Sequence, residues 1–389
     1  MKSLSKKEND VNKLKVIMLR LEEFLESKYD FRYNTLDNRY EYRLKDSEND
    51  FQVICERDIN QITLEAMKAN TGCLDRDVYR YIHSKSVKDY HPVREYVNAL
   101  PEWDRRDRVT FVAERINHNR TWVAHFHRWM LGMVAQWMGI DMRYGNCLMP
   151  ILISTRQGLK KSTFCECLLP PVLRKYYLDD FDIHSRSNVD SKLAKFALIN
   201  VDEIYRFSKQ KMERLKNILQ MASVKMKKSG SSEYEALPRL ASFIATTNYR
   251  EVITDPTGSR RELPAELETR IRNLSINYLQ LYAQLKHELL HKRRYWLTPA
   301  EERRLVVHNK AYTRRPVEES VFFECFRLPQ EGEKADHLSL TQIYEAMKRK
   351  SPAAMRDISM STFGEHLAMI GVQKNRGHAF NEYRVVRIP

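Results

Sequence analysis

This sequence lacks several features that define common classes of protein. Its six cysteines form no C-x-x-C pair and no Cys/His spacing typical of a zinc site, so free thiols are expected rather than a disulfide framework or a zinc finger. No apolar run approaches the roughly 20 residues that cross a bilayer. The charged start, MKSLSKKENDVNKLK, has no secretory apolar segment. We therefore expect a cytoplasmic protein with no membrane partner.

Acidic residues are too few to balance the basic ones. The 389 residues include 66 Lys and Arg against 51 Asp and Glu, which gives a net charge of +15 and a pI of about 9.4. Such a surplus favours a polyanionic partner such as nucleic acid. A basic surface that is merely solvated is the alternative.

Apolar segments that end in polar residues predict an α/β fold. Segments 148–154, 196–201 and 240–245 are typical of strands, and helices are expected between them, the last continuing to about residue 226. Strands that alternate with helices form parallel sheets, whose carboxyl ends share one edge. Side chains that follow these strands are therefore expected to meet there.

Glycine is missing from both signature positions of a possible phosphate-binding loop. STRQGLKKSTF, residues 154–164, follows the first strand, but the motif G-x-x-x-x-G-K-[ST] has Thr155 and Lys160 in place of its glycines. A side chain at position 160 predicts backbone strain of about 1–2 kcal/mol and weak nucleotide binding, which Lys160→Gly would tighten. The candidate phosphate-binding residues are Gln157, Gly158, Lys160, Lys161, Ser162 and Thr163.

Polar side chains follow the next two strands. FALINVDEIY leads to Asp202 and Glu203. The aspartate is suited to hold Mg²⁺ and the glutamate to deprotonate an attacking water, whereas helix capping is the alternative role. LASFIATTN leads to Asn248, whose amide is suited to contact a γ-phosphate and that water.

Two arginines follow the third strand on a surface loop. DPTGSRR presents Arg260 and Arg261, with Arg270 a more distant candidate. An arginine that reaches the γ-phosphate of a neighbouring subunit stabilises transition-state charge. Two surface arginines carry this interpretation only because the other three segments precede them.

Together the segments QGLKKSTF, INVDEIY, FIATTN and DPTGSRR resemble the virulence-associated protein E (VapE-like) family. These are P-loop ATPases similar to superfamily 3 helicases, often encoded by phages and mobile elements, and the resemblance extends over residues 90 to about 290. It implies a P-loop NTPase core of the AAA+ or superfamily 3 helicase type that uses ATP and Mg²⁺. The implied roles are Lys161 for the phosphates, Ser162 and Asp202 for the metal, Asn248 as sensor, and Arg260 and Arg261 as finger candidates. Thr155, Lys160 and Glu262 depart from the family pattern.

The segment SVKMKKSGSSEYEALPR lies between the second and third strands. In superfamily 3 helicases an insertion here resembles a hairpin that faces DNA. Lys225, Lys227 and Lys228 are therefore candidates for phosphate contacts, which position DNA without reading its sequence. A solvated lysine loop is the alternative.

The C-terminal segment predicts a winged helix. LSLTQIYEAMKRK and ISMSTFGEHLAMIGV are typical of two helices, and the alternating QKNRGHAFNEYRVVRIP is typical of a hairpin. Ser359, Ser361 and Thr362 would begin the recognition helix. Lys374, Arg376 and His378 would lie on the wing and contact DNA, although winged helices also bind proteins.

Residues 1–90 are expected to form a helical and hairpin region, residues 91–295 the VapE-like P-loop ATPase domain, and residues 296–389 a linker helix and winged-helix-like domain. Residues 1–27 are typical of an amphipathic helix, and a hairpin is expected to turn near Leu36–Asn38. Its alternating arginines and tyrosines suit either base stacking or packing. Residues 91–104, bounded by prolines, are expected to form a linker.

These observations predict an ATP-dependent, helicase-like protein that acts on single-stranded or forked DNA in the replication of a phage or mobile element. An arginine acting in trans implies a homo-oligomeric ring. No primase active-site segment is evident, so a separate primase or replication protein is expected as a partner. The alternatives are a DNA-binding or scaffold protein with a degenerate P-loop and a winged-helix transcriptional regulator.

Overall fold

The computed structural model describes residues 2–140, 145–179, 181–183, 186–227, 233–253, 259–271, 275–314, 317–330, 332–356, 358–376 and 381–388. Four clusters of buried side chains organise these residues. One lies in the N-terminal region, two cover the two faces of a central sheet, and one lies in the C-terminal region.

The N-terminal region packs three helices against a small sheet. The predicted long helix and hairpin are both present, and Leu21 and Leu25 of the helix are fully buried. The sheet has the order β3-β2-β1-β4. Its elements are α1 (Lys2–Lys28), β1 (Tyr29–Asn34), β2 (Arg39–Leu44), β3 (Gln52–Val53), α2 (Glu56–Lys68), α3 (Asp75–Ile82) and β4 (Asp89–Tyr90).

Two hairpin arginines are engaged within the chain. The Arg32 guanidinium lies 3.8 Å from the centre of the Phe51 ring and 3.7 Å from that of Tyr90, and its Nε donates to Glu41 over 2.6 Å. Arg43 Nε lies 2.9 Å from a carboxylate of β1. Packing therefore accounts for these two side chains, and base stacking is not needed to explain them.

The prediction of a linker at residues 91–104 is wrong for its first half. Pro92–Asn98 form α4, with the proline in the first turn, where its missing N–H is tolerated. Two further helices complete this layer, α5 (Val109–Glu114) and α6 (Arg120–Met138). Val93 and Val97 of α4 are buried in the same cluster as side chains of α6.

A five-stranded sheet with helices on both faces forms the centre of the protein. Its strands are β5 (Met149–Ile153), β6 (Tyr177–Leu178), β7 (Leu198–Val201), β10 (Ser242–Thr247) and β11 (Glu262–Glu266), and β8 (Ser223–Lys227) and β9 (Tyr234–Pro238) form a separate hairpin. The helices are α7 (Lys161–Cys167), α8 (Arg186–Lys195), α9 (Lys209–Gln220), α10 (Tyr278–Leu290) and α11 (Pro299–Asn309).

The strand order β11-β5-β10-β7-β6 decides which loops meet. Every neighbouring pair is parallel, so the predicted α/β layer architecture with a parallel sheet is confirmed. β10 lies between β5 and β7, and pairs Thr247 with Ile153 and Ala245 with Val201. The carboxyl ends of these three strands are therefore adjacent.

The helix predicted to continue to about residue 226 ends at Gln220 instead. The fully buried Arg239 guanidinium donates to the carbonyls of Ile218, Leu219 and Met221 over 2.9, 2.9 and 3.1 Å. These are carbonyls that a helix terminus leaves without partners. The segment that follows, β8, alternates exposed and buried side chains, a period of two that suits a strand.

The C-terminal region contains the predicted two helices and hairpin. Its elements are α12 (Val317–Cys325), β12 (Phe326–Arg327), β13 (Asp336–Ser339), α13 (Leu340–Lys350), α14 (Met360–Ile370), β14 (Gln373–Arg376) and β15 (Asn381–Arg387). Of these strands, β15 pairs antiparallel with β12, β13 and β14. Ser359 caps α14 by accepting a hydrogen bond from the Thr362 N–H.

The predicted domain limits at residues 90 and 295 stay predictions. α11, which follows the second limit, contacts α6 and β11 of the central region. The Arg314 N–H also donates to the Ile253 carbonyl over 2.7 Å. The chain therefore stays in contact with the central region as far as residue 314.

Candidate nucleotide site at the carboxyl edge of the sheet

Four predicted site residues lie together where three adjacent strands end. Lys161 begins α7 beyond β5, Asp202 and Glu203 follow β7, and Asn248 follows β10. Lys161 Nζ donates to Asn248 Oδ1 over 2.6 Å, and Asn248 Nδ2 donates to Glu203 Oε1 over 2.9 Å. An ammonium, an amide and a carboxylate thus form one continuous hydrogen-bonded chain across the edge.

The two carboxylates are held differently although they are neighbours in sequence. Asp202 Oδ1 accepts a hydrogen bond from Thr246 Oγ1 on the adjacent strand β10. Glu203 has φ 49° and ψ 44°, a left-handed conformation that is uncommon for a residue with a side chain. Backbone strain of this kind collects at functional sites, so this turn is one of the features that mark the edge as a site.

Lys161 is half-buried, and its surroundings act on its charge in opposite directions. Burial lowers the pKa of its ammonium, whereas the carboxylates of Glu203 and Asp202 raise it, and the effect of burial prevails. The two acids therefore do not fully compensate for the loss of water around the ammonium. A further anion beside Lys161 would stabilise its charged form.

The loop before α7 has a left-handed backbone at two positions although it lacks the signature glycines. Lys160 has φ 65° and ψ 35°. Gly158 has φ 77°, and apart from its chain neighbours no atom of the described residues lies within 4 Å of the place a Cβ would take. The loop residues whose side chains or backbones are exposed are Thr155, Arg156, Gln157, Gly158, Lys160, Ser162 and Thr163. Neither substituted position therefore closes the loop.

The two candidate finger arginines lie at the opposite edge of the sheet. Arg260 and Arg261 precede β11, and the Arg261 carbonyl accepts a hydrogen bond of 2.8 Å from the N–H of Met149, the first residue of β5. Arg260 Nη1 lies 3.4 Å from Glu302 on α11. Both arginines therefore lie one strand length from Lys161 of their own chain.

Two of the three candidate hairpin lysines lie among the described residues. Lys225 and Lys227 lie on β8 with exposed side chains that share one face, while Val224 between Ser223 and Lys225 is buried. Lys227 pairs across the hairpin with Tyr234, which is 71% exposed. Lys228, also a candidate, falls outside the described residues. A basic face with an exposed aromatic ring therefore leads toward the tip of the hairpin.

The predicted wing residues lie on β14. Every residue of this strand is exposed, including Lys374 and Arg376, and His378 falls outside the described residues. The preceding helix, α14, has the sequence MSTFGEHLAMI and contains no lysine or arginine. The predicted recognition helix, which has no lysine or arginine, is therefore less suited to phosphate contacts than β14 is.

Some residues near the site were missed by sequence reasoning. Thr246, which donates a hydrogen bond to Asp202, lies within the mostly apolar strand before Asn248 and has no distinguishing sequence pattern. The rings of Tyr205 and Tyr249 stack with centres 3.8 Å apart and planes at 18°, and each tyrosine follows a predicted site residue by one or two positions. The sequence contains a signal for this pair, because a tyrosine follows within one or two positions of the last polar residue after each strand.

The positive charge is concentrated in the central region. Residues 91–314 hold 38 of the 66 Lys and Arg residues and 24 of the 51 Asp and Glu residues, a surplus of 14 positive charges. Residues 1–90 hold 17 of each sign, and residues 315–389 hold 11 basic and 10 acidic residues. A polyanion would therefore be attracted mainly to the central region.

The fold is that of an α/β protein whose parallel sheet collects polar side chains at its carboxyl edge. Residues 97–314 match the virulence-associated protein E-like domain family, and the chain belongs to this family. Residues 315–385 match a domain of unknown function, DUF3874. The family membership expected from the four segments is thereby confirmed.

Two solved structures of the NrS-1 C-terminal region show a low level of similarity to this chain. One, the apo structure of residues 305–718, is 8% identical with a TM-score of 0.48, and the other, its A form, is 9% identical with a TM-score of 0.47. Each comparison covers 96% of this chain and 100% of that chain. Likeness at this level carries no argument about function. No curated protein matches the chain.

The described residues have two further general features. None of their helices is long and apolar enough to cross a membrane. Within the same residues, no three His, Cys, Asp or Glu side chains come together as a group that could hold a metal ion by themselves.

Proposed function

We propose that this protein is an ATP-dependent, helicase-like ATPase that acts on DNA in the replication of a phage or mobile element. The observation that carries the proposal is the hydrogen-bonded chain from Lys161 through Asn248 to Glu203, with Asp202 beside it. Membership of the virulence-associated protein E-like family supports it. The surplus of positive charge in residues 91–314 supports a DNA partner.

The residues at this edge fit a nucleoside triphosphate with Mg²⁺. The Lys161 ammonium has three N–H donors and meets oxygens of Asn248 and Ser154, so a phosphate oxygen can accept from its remaining donor while the bond to Asn248 is kept. The left-handed backbone at Gly158 and Lys160 suits a concave nest of N–H groups for an anion. Ser162 and Asp202 would supply the oxygen ligands for Mg²⁺. The metal neutralises charge on the phosphates when it is bound.

Glu203 is the proposed general base. Its Oε1 accepts the Asn248 amide, which orients the carboxylate, and its other oxygen would take the proton of the attacking water. Asn248 links Lys161 to Glu203 through two hydrogen bonds. A change in the position of the Lys161 ammonium would therefore be transmitted through the amide to the Glu203 carboxylate. The amide is therefore assigned a positioning role for both groups.

A neighbouring copy of the chain would supply the arginine. Arg260 and Arg261 lie at the amino edge of the sheet, away from the site of their own chain. In this position they can face the carboxyl edge of another copy and stabilise charge that develops on its γ-phosphate. The proposed assembly is therefore a homo-oligomeric ring, with a separate primase or replication protein as a further partner.

Glu203→Gln tests the assignment because it keeps the shape of the side chain and removes its capacity to take a proton. We expect DNA-stimulated phosphate release to fall by about 100-fold or more, while binding of a fluorescent ATP analogue is retained. Glu213→Gln, at an exposed carboxylate of α9, is the matched control. Unchanged phosphate release in Glu203→Gln would show that Glu203 is not the base.

A DNA-binding or scaffold protein with a degenerate loop is the second candidate, and Lys160 is the observation that favours it. In that case the purified chain binds DNA, and Lys161→Ala changes neither DNA binding nor phosphate release. A transcriptional regulator would instead protect one operator in footprinting, with or without ATP. The three outcomes are separable with the same protein.

A further inference from the structure

The edge strand next to β7 supplies a carboxylate that the proposed site has not used. β6 runs parallel to β7 and pairs Leu178 with Ile199, so Asp179 follows at the level of Asn200. Asn200 Nδ2 donates to Asp179 Oδ1 over 2.5 Å, and the Tyr177 hydroxyl donates to the same oxygen over 3.1 Å. Both bonds go to one oxygen of the carboxylate, and Oδ2 accepts no hydrogen bond from the residues that the structure describes.

Asn200 also has a buried polar atom without a partner. Its side chain is fully buried, and its Oδ1 has no hydrogen-bond partner among the described residues. A buried polar atom of this kind destabilises the protein unless a donor reaches it. Asp202 follows β7 directly. Asn200 pairs with Ile244 of β10, and Asp202 accepts a hydrogen bond from Thr246 two residues further along β10, so both side chains lie on the same face of the sheet. Asn200 therefore lies between two acidic residues, Asp179 on the next strand and Asp202 beyond the end of its own strand.

The separation of those carboxylates suits a hydrated cation. Asp179 and Asp202 lie on adjacent strands and differ by two residues in level, which puts their Cα atoms roughly 8 Å apart at the usual strand spacing and rise. Burial raises the pKa of the Cys165 thiol well above its ordinary value, and the carboxylates of Asp179 and Asp202 raise it further. Both acids therefore act on one buried thiol of α7, the helix that begins with Lys161 and Ser162.

We propose that Asp179, positioned by Asn200 and Tyr177, is a further carboxylate of the Mg²⁺ site and holds the cation through a bound water. This inference rests on the proposed function. Mg²⁺ keeps several of its waters and is usually bound by one or two carboxylates together with substrate phosphates. A water on the cation can also donate to the buried Asn200 oxygen. The hydrated cation would then supply partners for both Asp179 Oδ2 and Asn200 Oδ1.

Asp179→Asn tests this role because it removes the charge and keeps an oxygen for both donors. The readout is the Mg²⁺ concentration that half-saturates binding of a fluorescent ATP analogue, measured at fixed protein concentration. We expect this concentration to rise about tenfold, a change of about 1.4 kcal/mol. Affinity for the analogue in EDTA is expected to stay the same or increase. Glu213→Gln is the control for loss of one negative charge.

The outcomes distinguish failure of the Asp179 inference from failure of the proposed function. If Asp179→Asn binds Mg²⁺ like the wild type while Asp202→Asn loses the dependence, Asp179 is a structural residue and the inference is overturned. If the wild type shows no Mg²⁺-dependent nucleotide binding, the proposed function itself fails. Electron paramagnetic resonance of Mn²⁺ with ADP gives a second readout that does not depend on hydrolysis.

Discussion

Lys160→Gly isolates the effect of the missing glycine in the phosphate-binding loop. Lys160 holds φ 65° and ψ 35°, which costs a residue with a side chain about 1–2 kcal/mol. Glycine removes this strain but makes the unfolded chain more flexible, a loss of about 0.5–1 kcal/mol. The variant is therefore expected to be more stable by up to about 1 kcal/mol, or roughly 2 °C in thermal unfolding.

The structure changes the expectation for nucleotide affinity. The left-handed backbone is present without nucleotide, so relief of strain favours the free and the bound loop equally and cannot tighten binding. The variant also loses an exposed ammonium next to the triphosphate. Two charges about 7 Å apart in water interact by about 0.6 kcal/mol, and salt screens part of it. We therefore expect affinity to fall about two- to fivefold, instead of rising.

Lys160→Ala separates charge from backbone strain. Alanine loses the ammonium but keeps the strained conformation, so its affinity is expected to match that of the glycine variant while its stability stays near the wild type. Titration of a fluorescent ATP analogue with Mg²⁺ and thermal unfolding without nucleotide measure the two effects. Tighter binding by Lys160→Gly alone would refute this reasoning, because it would require the loop to adopt a new backbone when the nucleotide binds.

Three further predictions concern other parts of the chain. Arg261→Ala and Glu203→Gln proteins, each inactive alone, are expected to recover part of their ATP hydrolysis when mixed, because a mixed oligomer contains interfaces with an intact arginine and an intact glutamate; no recovery would argue against a finger in trans. Replacing Lys225 and Lys227 by alanine is expected to lower DNA affinity and to reduce the slope of log K against log salt by about 2. Burial alone would raise the pKa of the Glu301 carboxyl, but bonds from its helix start and nearby guanidinium groups hold it at about 2. Its folded pKa lies below the unfolded value, so its stabilisation is present above about pH 5 and is lost as pH falls toward 2; Glu301→Gln is expected to flatten this acid limb of thermal stability.

The arrangement of the central sheet could be predicted because its signals are local. An apolar strand followed by a lysine, an acid or an amide appears three times in the sequence, and parallel strands bring such ends to one edge. The order of the strands was not predictable from those patterns. Only the structure shows that β10 lies between β5 and β7, which is what allows Asn248 to bridge Lys161 and Glu203.

The parts that sequence reasoning missed depend on contacts between distant residues. α9 ends at Gln220 because of Arg239, about twenty residues further along, and nothing in the helix sequence marks that end. Pro92 is typical of a linker, but a proline equally suits the first turn of a helix. Asn200 looked like one polar residue within a strand until pairing with β6 brought Asp179 beside it.

The distribution of charge changes where DNA contacts are expected. The basic wing suggested DNA binding by the C-terminal region, yet residues 315–389 have almost no net charge and α14 has no lysine or arginine. The surplus lies in residues 91–314, which also carry the nucleotide-site candidates and the hairpin lysines. Nonspecific affinity for DNA comes mainly from phosphate neutralisation. A motor that couples nucleotide to DNA would therefore have both contacts in the same region, which leaves the two nearly neutral flanking regions suited to contacts with proteins.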